Sequence, residues 1–121
     1  MQMPGLSAGT LLHLPVRVRG IQLGRPVDVI LDAAGGRAIG LDVLCGDTTH
    51  RFLPLAAVEI RKDHISVTSA LTLLTHTELD FYRSRGSTLR ELRVRDGVRD
   101  IAFGDDWSVE GYLAEETAPA A

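Results

Sequence analysis

GRPVDVILDAAGGRAIGLDV, residues 24–43, decides the fold of this 121-residue chain. Apolar and polar side chains alternate over residues 27–32 and again over residues 37–44, which predicts two strands that each bury one face. Between them lie Gly35 and Gly36, and glycines can take positive φ without a Cβ clash. The stretch therefore predicts a β-hairpin.

Shorter apolar runs continue the strand pattern on both sides of the hairpin. One precedes it at residues 16–19, and three follow it at 50–53, 58–60 and 65–67. The run at 50–53 ends at Pro54, whose missing N–H confines it to the edge or end of a sheet. Several short strands with close turns predict a mainly β protein, built as a small antiparallel barrel or sandwich.

These same residues carry a family resemblance. Gly24, the run VDVILD, the glycine turn, RAIGLDV and the later segment FLPLAAVEI together resemble the PRC-barrel domain. This family includes the photosynthetic reaction-centre H subunit and the C-terminal half of a ribosome maturation factor. The resemblance covers roughly residues 12–69 and implies a small PRC-like antiparallel β-barrel. It specifies a fold much better than an activity.

The chain changes character after this region. Thr75 and Glu78 have the spacing of a capping box, and the residues that follow predict one short α-helix of about ten residues. Gly86 is predicted to end the helix as a left-handed cap. Beyond it, a β-rich C-terminal extension is predicted, with strands at residues 89–94, 98–103 and 107–113.

This extension weakly repeats the first half, because aligning Gly24 with Gly86 also aligns Val27 with Leu89. The second copy lacks a counterpart of residues 51–60, so we expect it to pack on the first unit or on a second chain. The predicted organisation is a flexible leader (1–10), a PRC-barrel-like domain (11–70), a linker with the short helix (71–86), a second, truncated PRC-like β unit (87–113) and a disordered tail (114–121).

Composition excludes several classes of protein. A net charge of −3 provides no global field that would draw the chain onto nucleic acid or anionic lipid. Cys45 is the single cysteine, which excludes an intrachain disulfide and a cysteine metal cluster. The N-terminus lacks the pattern of a signal peptide, and no window has the roughly 20 apolar residues of a membrane span. We therefore expect a cytoplasmic protein with no membrane partner.

No catalytic, cofactor-binding or metal-binding residues are predicted. The histidines lack metal-ligand spacing, and His50 near Cys45 has no visible third group that would complete a nucleophilic site. Asp28, Asp32 and Asp42 could cluster as carboxylates, but solvation of a strand surface and turn capping explain them more simply. The four histidines, His13, His50, His64 and His76, are interpreted as structural or surface residues.

Two groups of residues are candidates for contact with partners. Aromatic residues are enriched in interface cores, and an incomplete β unit has edges to cover. Packing of the second unit is the simpler use of these aromatics. The residues predicted for partner binding or self-association are Phe103, Trp107 and Tyr112.

The second group is an arginine-rich segment beside two aromatic residues, a composition that can bind phosphate and stack bases. A solvated face with internal ion pairs is the simpler explanation. The sequence thus predicts a non-enzymatic adaptor that docks an unidentified protein partner and can form a homodimer. The alternative is an RNA- or ribosome-associated factor that uses Arg83, Arg85, Arg90, Arg93, Arg95 and Arg99.

Overall fold

A computed structural model describes residues 6–114 and confirms the prediction of a mainly β protein. It contains nine strands and three α-helices in this range, where one helix was predicted. The helices are α1 (Ala8–Leu12), α2 (His76–Arg85) and α3 (Leu89–Asp96), and single 3₁₀ turns lie at Leu55–Ala57 and Ala70–Thr72. The strands are β1 (Val16–Val18), β2 (Ile21–Leu31), β3 (Ala38–Cys45), β4 (His50–Pro54), β5 (Glu59–Ile60), β6 (Ile65–Ser66), β7 (Ser87–Thr88), β8 (Val98–Phe103) and β9 (Val109–Ala114).

The main sheet follows the strand order β4-β3-β2-β1-β6-β5, with β7 added to the end of β2. This path runs between two different edge strands, so in the described residues the sheet is open and closure into a barrel stays a prediction. Strand β6 pairs with β1 in parallel, which corrects the expectation of a purely antiparallel sheet. Strands β8 and β9 form a separate antiparallel hairpin.

The predicted hairpin of β2 and β3 is confirmed, and both of its faces are covered. Val29 and Leu31 enter the main core, whereas Ile30 packs on the opposite face with Phe52 and with Leu79 of α2. The prediction that the Asp28 face meets solvent is wrong, because α2 and the start of α3 cover it.

The C-terminal residues share the main core with the sheet. Leu92 of α3 and Ile101 of β8 belong to the same buried cluster as Leu11 of α1 and Leu41 of β3. The predicted second unit therefore packs on the first within one chain, and a single core serves both.

The segment predicted as a strand over residues 89–94 is instead helix α3. Thr88 caps this helix by accepting a hydrogen bond from the Glu91 N–H at 3.2 Å. Leu89 and Leu92 lie three residues apart, so one helix face carries both into the core. Gly97 ends the helix with φ +67° in the left-handed cap conformation. The weak sequence repeat aligned residues of α3 with residues of strand β2. The two aligned segments have different secondary structure, so the repeat is not a structural repeat.

Helix α2 has the predicted ten residues, but Gly86 does not cap it as expected. The backbone of Gly86 is extended, with φ −118° and ψ −159°. A Cβ at this position would collide with the carbonyl oxygen of Leu31, so Gly86 allows the chain to pass close to β2. At the other end of α2, the Thr75 hydroxyl donates to the Glu78 carboxylate and bonds no helix N–H.

The predicted flexible leader is wrong for residues 6–10. Leu6 is buried, and its carbonyl accepts a hydrogen bond from the Phe103 N–H at 2.9 Å. Helix α1 begins at Ala8 and buries Leu11 completely. Residues 1–5 and 115–121, which hold the rest of the predicted leader and nearly all of the predicted tail, lie outside the described residues. Among residues 6–114, no helix is long and apolar enough to cross a bilayer.

Candidate functional site

An apolar cleft of about 370 Å³ opens between the main sheet, α2 and the loop that joins β8 to β9. Ile39 and Phe52 line it from the sheet, Tyr82 from α2 and Trp107 from the loop. We call it the aromatic cleft, and its volume falls in the range of small-ligand and anchor-residue pockets. Its other lining residues are Arg37, Ala38, Pro54, Leu55, Ala56 and Asp106.

Trp107 is held in the aromatic cleft by its backbone. Its φ is +66°, a left-handed conformation that is rare for a bulky residue and costs about 1–3 kcal/mol. The Ala38 N–H donates to the Trp107 carbonyl at 2.8 Å, and the Trp107 N–H donates to the Gly104 carbonyl at 3.1 Å. The indole also packs edge-on against Phe103, with ring centroids 5.9 Å apart. The loop therefore fixes the indole within the fold itself.

A stacked aromatic pair forms another part of the lining of the aromatic cleft. The rings of Phe52 and Tyr82 lie 4.4 Å apart at an angle of 18°. Gly40 leaves room for this stack, because a Cβ there would collide with the Phe52 ring. Phe81 meets Tyr82 edge-on, and the Arg85 guanidinium lies 4.2 Å above the Phe81 ring. Helix α2 thus extends the aromatic surface outward from the cleft.

The rim of the aromatic cleft carries one charge of each sign. Arg37 donates to the Asp106 carboxylate at 2.9 Å, and both side chains are exposed. Hydrogen bonds from the Ser108 hydroxyl and N–H lower the pKa of Asp106, so this carboxylate is ionised at neutral pH. The rim charges satisfy each other, and the cleft favours an apolar occupant.

The three predicted aromatic residues have three different positions. Phe103 is buried in the main core, and Trp107 joins it to the aromatic cleft. Tyr112 is half-exposed and donates its hydroxyl proton to the Gly35 carbonyl at 2.9 Å, across the turn of the β2–β3 hairpin. The sequence did not single out Phe52, and it placed Tyr82 with the arginine-rich segment instead of with Trp107. The three-residue spacing of Leu79 and Tyr82 on α2 was the signal that both face the sheet.

Two buried carboxylates lie side by side on the other half of this sheet face. Asp28 and Asp42 are directly opposite each other in the β2–β3 register, and each is less than a tenth exposed. The explanation by surface solvation is therefore wrong for both residues. For Asp32, turn capping is correct, because its carboxylate accepts a hydrogen bond from the Gly36 N–H at 2.9 Å.

Asp28 is compensated by backbone donors. Its Oδ1 accepts hydrogen bonds from the N–H groups of Val29 at 2.9 Å and Arg90 at 3.0 Å, the latter in the first turn of α3. Burial raises the pKa of Asp28, and the charge of Asp42 adds to this effect. The two N–H groups and the Thr88 hydroxyl act in the opposite direction. Asp28 thus ties the start of α3 to the middle of β2.

Asp42 is compensated by two cationic or polar side chains. Its Oδ1 lies 2.8 Å from Nδ1 of His50, and its Oδ2 lies 3.7 Å from the Arg83 guanidinium. The Asp42 side chain is 5% exposed, whereas that of His50 is 48% exposed. A buried carboxylate therefore fixes the orientation of an accessible imidazole whose Nε2 is not used by Asp42.

Three of the six predicted arginines surround these carboxylates. Arg90 and Arg93 line a cleft of about 400 Å³ together with Asp28 and His50, and Arg83 contacts Asp42. We call this the polar cleft; Leu12, Val27 and Leu89 complete its lining. The other arginines lie apart: Arg85 covers Phe81, Arg95 contacts Asp96, and Arg99 is exposed on β8.

Cys45 and His50 do not form a pair. The Cys45 thiol donates weakly to the Val43 carbonyl, and burial raises its pKa, which disfavours the reactive thiolate. His13 and His64 bind a backbone carbonyl and Asp63, respectively. Within the described residues, no group of three or more His, Cys, Asp or Glu side chains has an arrangement that could hold a metal ion.

A comparison with protein-family models and with curated proteins finds no match to this chain. The resemblance to the PRC-barrel family therefore stays a prediction based on the residues that carry it.

Proposed function

We propose that the chain is a non-enzymatic, cytoplasmic interaction module of the PRC-barrel type that docks a protein partner in the aromatic cleft. The observation that carries the proposal is Trp107, a bulky residue held at positive φ in the same cleft as the Phe52–Tyr82 stack. Backbone strain of this kind persists where the surrounding structure enforces it, and it concentrates at binding sites. Aromatic anchors in preformed pockets also supply most of the energy of protein interfaces.

The occupant that fits best is a short segment of a protein partner that presents one bulky apolar or proline side chain. The half-buried rings of Tyr82 and Trp107 provide accessible surface for such a group, and the buried Phe52 ring supports Tyr82 from behind. Arg37 and Asp106 neutralise each other at the rim, so the cleft offers no net charge that would favour a charged occupant. A second copy of this chain is another occupant that the test must distinguish.

Two neighbouring alanines provide the test. Ala56 and Ala57 are both exposed in the same 3₁₀ turn, but only Ala56 lines the aromatic cleft. Ala56→Arg is expected to block the cleft without disturbing the core, and Ala57→Arg adds the same charge outside it. Tagged proteins are used to capture partners from native lysate with and without ribonuclease, and bound proteins are quantified by mass spectrometry.

The proposal predicts a protein that survives ribonuclease, is retained by Ala57→Arg and is reduced about tenfold or more by Ala56→Arg. This loss corresponds to about 1.4 kcal/mol of binding free energy. If the only captured peptides are those of the chain itself, and sedimentation shows a dimer that Ala56→Arg dissociates, the occupant is a second copy. Equal capture by both variants would overturn the aromatic cleft as the docking site.

An RNA- or ribosome-associated role is the second candidate function. It is favoured by the position of Arg90 and Arg93, which share one cleft with His50. Two of the predicted arginines argue against an RNA-associated role, because they already have partners within the chain. Arg85 contacts Phe81, and Arg95 contacts Asp96. Capture that is lost on ribonuclease treatment would favour this second candidate.

A further inference from the structure

We propose that the polar cleft binds a phosphate group through Arg90, Arg93 and Nε2 of His50. This site is distinct from the aromatic cleft and does not depend on the docking of a protein there. Three features of the polar cleft support this site. Its carboxylates are compensated by groups of the protein, its two arginines have no carboxylate within 4 Å among the described residues, and its histidine has a fixed orientation.

The acidic groups of the polar cleft are compensated before any ligand binds. Asp42 is occupied by His50 at 2.8 Å and by Arg83 at 3.7 Å. Asp28 accepts hydrogen bonds from two backbone N–H groups, one of them in the first turn of α3, where the helix dipole favours negative charge. Their charges therefore oppose an incoming anion much less than free carboxylates would.

The two arginines that line the cleft have no such compensation. Within the described residues, neither the Arg90 nor the Arg93 guanidinium lies within 4 Å of a carboxylate, and Arg93 uses only its Nε, which donates to the Arg99 carbonyl at 3.2 Å. Guanidinium groups bind phosphate oxygens through short, charge-assisted hydrogen bonds, often two at a time. The paired positions Arg90 and Arg93, one helical turn apart on α3, suit a single tetrahedral anion.

His50 explains why phosphate fits better than a carboxylate. With Nδ1 bound to the Asp42 carboxylate, Nε2 is the ring nitrogen left for a ligand. It accepts a hydrogen bond when the ring is neutral and donates one when the ring is protonated. A phosphate monoester presents three unesterified oxygens in a tetrahedral arrangement, so Arg90, Arg93 and a protonated Nε2 can each donate to a different oxygen. A planar carboxylate offers only two oxygens to the same three donors.

The test uses side-chain NMR of His50 in the full chain, with inorganic phosphate, a ribonucleoside 5′-monophosphate and a short single-stranded RNA as probes at constant ionic strength. Chloride serves as the reference anion. We expect saturable shifts of the His50 ring signals with phosphate or the mononucleotide, and about a tenfold loss of affinity in Arg93→Gln, the size expected for one charge-assisted hydrogen bond.

Two further variants keep the result interpretable. Arg95→Gln removes the same charge two residues away on α3 but outside the polar cleft, so it should bind phosphate like the unaltered protein. His50→Asn places an amide near the Nδ1 position, retains the contact with Asp42 and removes Nε2, so it should bind more weakly with its fold intact.

The probes also distinguish the source of the phosphate. Tighter RNA binding that the mononucleotide displaces would identify a nucleic-acid backbone, and binding of the small probes alone would identify a phosphorylated small molecule. The proposal is overturned if no probe shifts the His50 signals at millimolar concentration, or if Arg95→Gln weakens binding as much as Arg93→Gln does.

Discussion

At the scale of single residues, two side chains stand in environments that their sequence neighbours do not reveal. Trp107 has a backbone conformation that favours glycine, and Asp28 is a carboxylate buried beside another carboxylate. Both are held there by hydrogen bonds from distant parts of the chain, from Ala38 in one case and Arg90 in the other. Each therefore makes a specific prediction about stability.

Replacing Trp107 by glycine and by alanine separates its backbone strain from the loss of its ring. Both variants lose the indole, but only glycine accepts φ +66° without a Cβ penalty. We expect Trp107→Gly to be more stable than Trp107→Ala by about 1 kcal/mol in chemical denaturation. Both should lose the partner captured by the unaltered protein. Greater stability of Trp107→Ala than of Trp107→Gly would show that position 107 is not strained, because alanine is the more stable residue by about 0.4–1 kcal/mol where the backbone suits both.

Asp28→Asn tests the cost of the buried carboxylate. Burial raises the pKa of Asp28 in the folded protein, so the folded state binds this proton more tightly than the unfolded chain does. The contribution of Asp28 to stability is therefore fully present below the unfolded-state pKa of about 3.9 and is lost as the pH rises through the folded-state pKa.

The asparagine variant keeps an Oδ1 acceptor for the N–H groups of Val29 and Arg90 but does not titrate. We expect its free energy of unfolding to improve relative to the unaltered protein between pH 3 and 7, by about 1.4 kcal/mol per unit of pKa difference. Denaturant titrations at several pH values measure this difference. A difference that is constant or falls with pH would contradict the assignment.

At the scale of elements, α3 was predicted wrongly as a strand, although its sequence carries helix signals. In LRELRV, residues 89–94, only the last four residues alternate as in a strand, while Leu89 and Leu92 fit one face of a helix. The deciding signals are local: Thr88 and Glu91 have capping-box spacing, and Gly97 follows as a left-handed cap.

Helix caps give a matched pair of variants. Thr88 caps α3 through the Glu91 N–H and also bonds Asp28, whereas Thr75 at the start of α2 bonds no backbone N–H. We expect Thr88→Ala to lower the free energy of unfolding by about 1–2 kcal/mol, and Thr75→Ala by a few tenths. Thermal or chemical denaturation of both variants measures the contrast. Similar losses would mean that the Thr88 hydroxyl does not act as a cap.

Apart from α3, the elements with local signals were predicted correctly from the sequence. The β2–β3 hairpin follows from alternation and two glycines, α2 from its start signal, and the edge position of β4 from Pro54. The burial of Asp28 and Asp42 was not predictable, because it depends on α2 and α3 covering the second face of the sheet. An alternating strand shows that it has two faces, but it does not show what covers each one.

At the scale of the whole molecule, the C-terminal extension completes the aromatic cleft. The loop between β8 and β9 is attached to the β2–β3 hairpin by the Ala38–Trp107 hydrogen bond and by the Val109 N–H, which donates to the Gly36 carbonyl at 2.9 Å. The cleft lining consequently spans residues 37–107. No local sequence pattern could predict a site assembled over such a distance, although Trp107 itself was a predicted contact residue.

The most direct measurement uses the fluorescence of Trp107, the one tryptophan of the chain. Its emission reports on the aromatic cleft alone, provided that the partner captured with Ala57→Arg and lost with Ala56→Arg is titrated in a form without tryptophan. Docking in the cleft predicts a saturable blue shift as the indole loses water, and no shift in Ala56→Arg. Tight binding of the partner with unchanged Trp107 emission would contradict the account, because it would place the interface elsewhere.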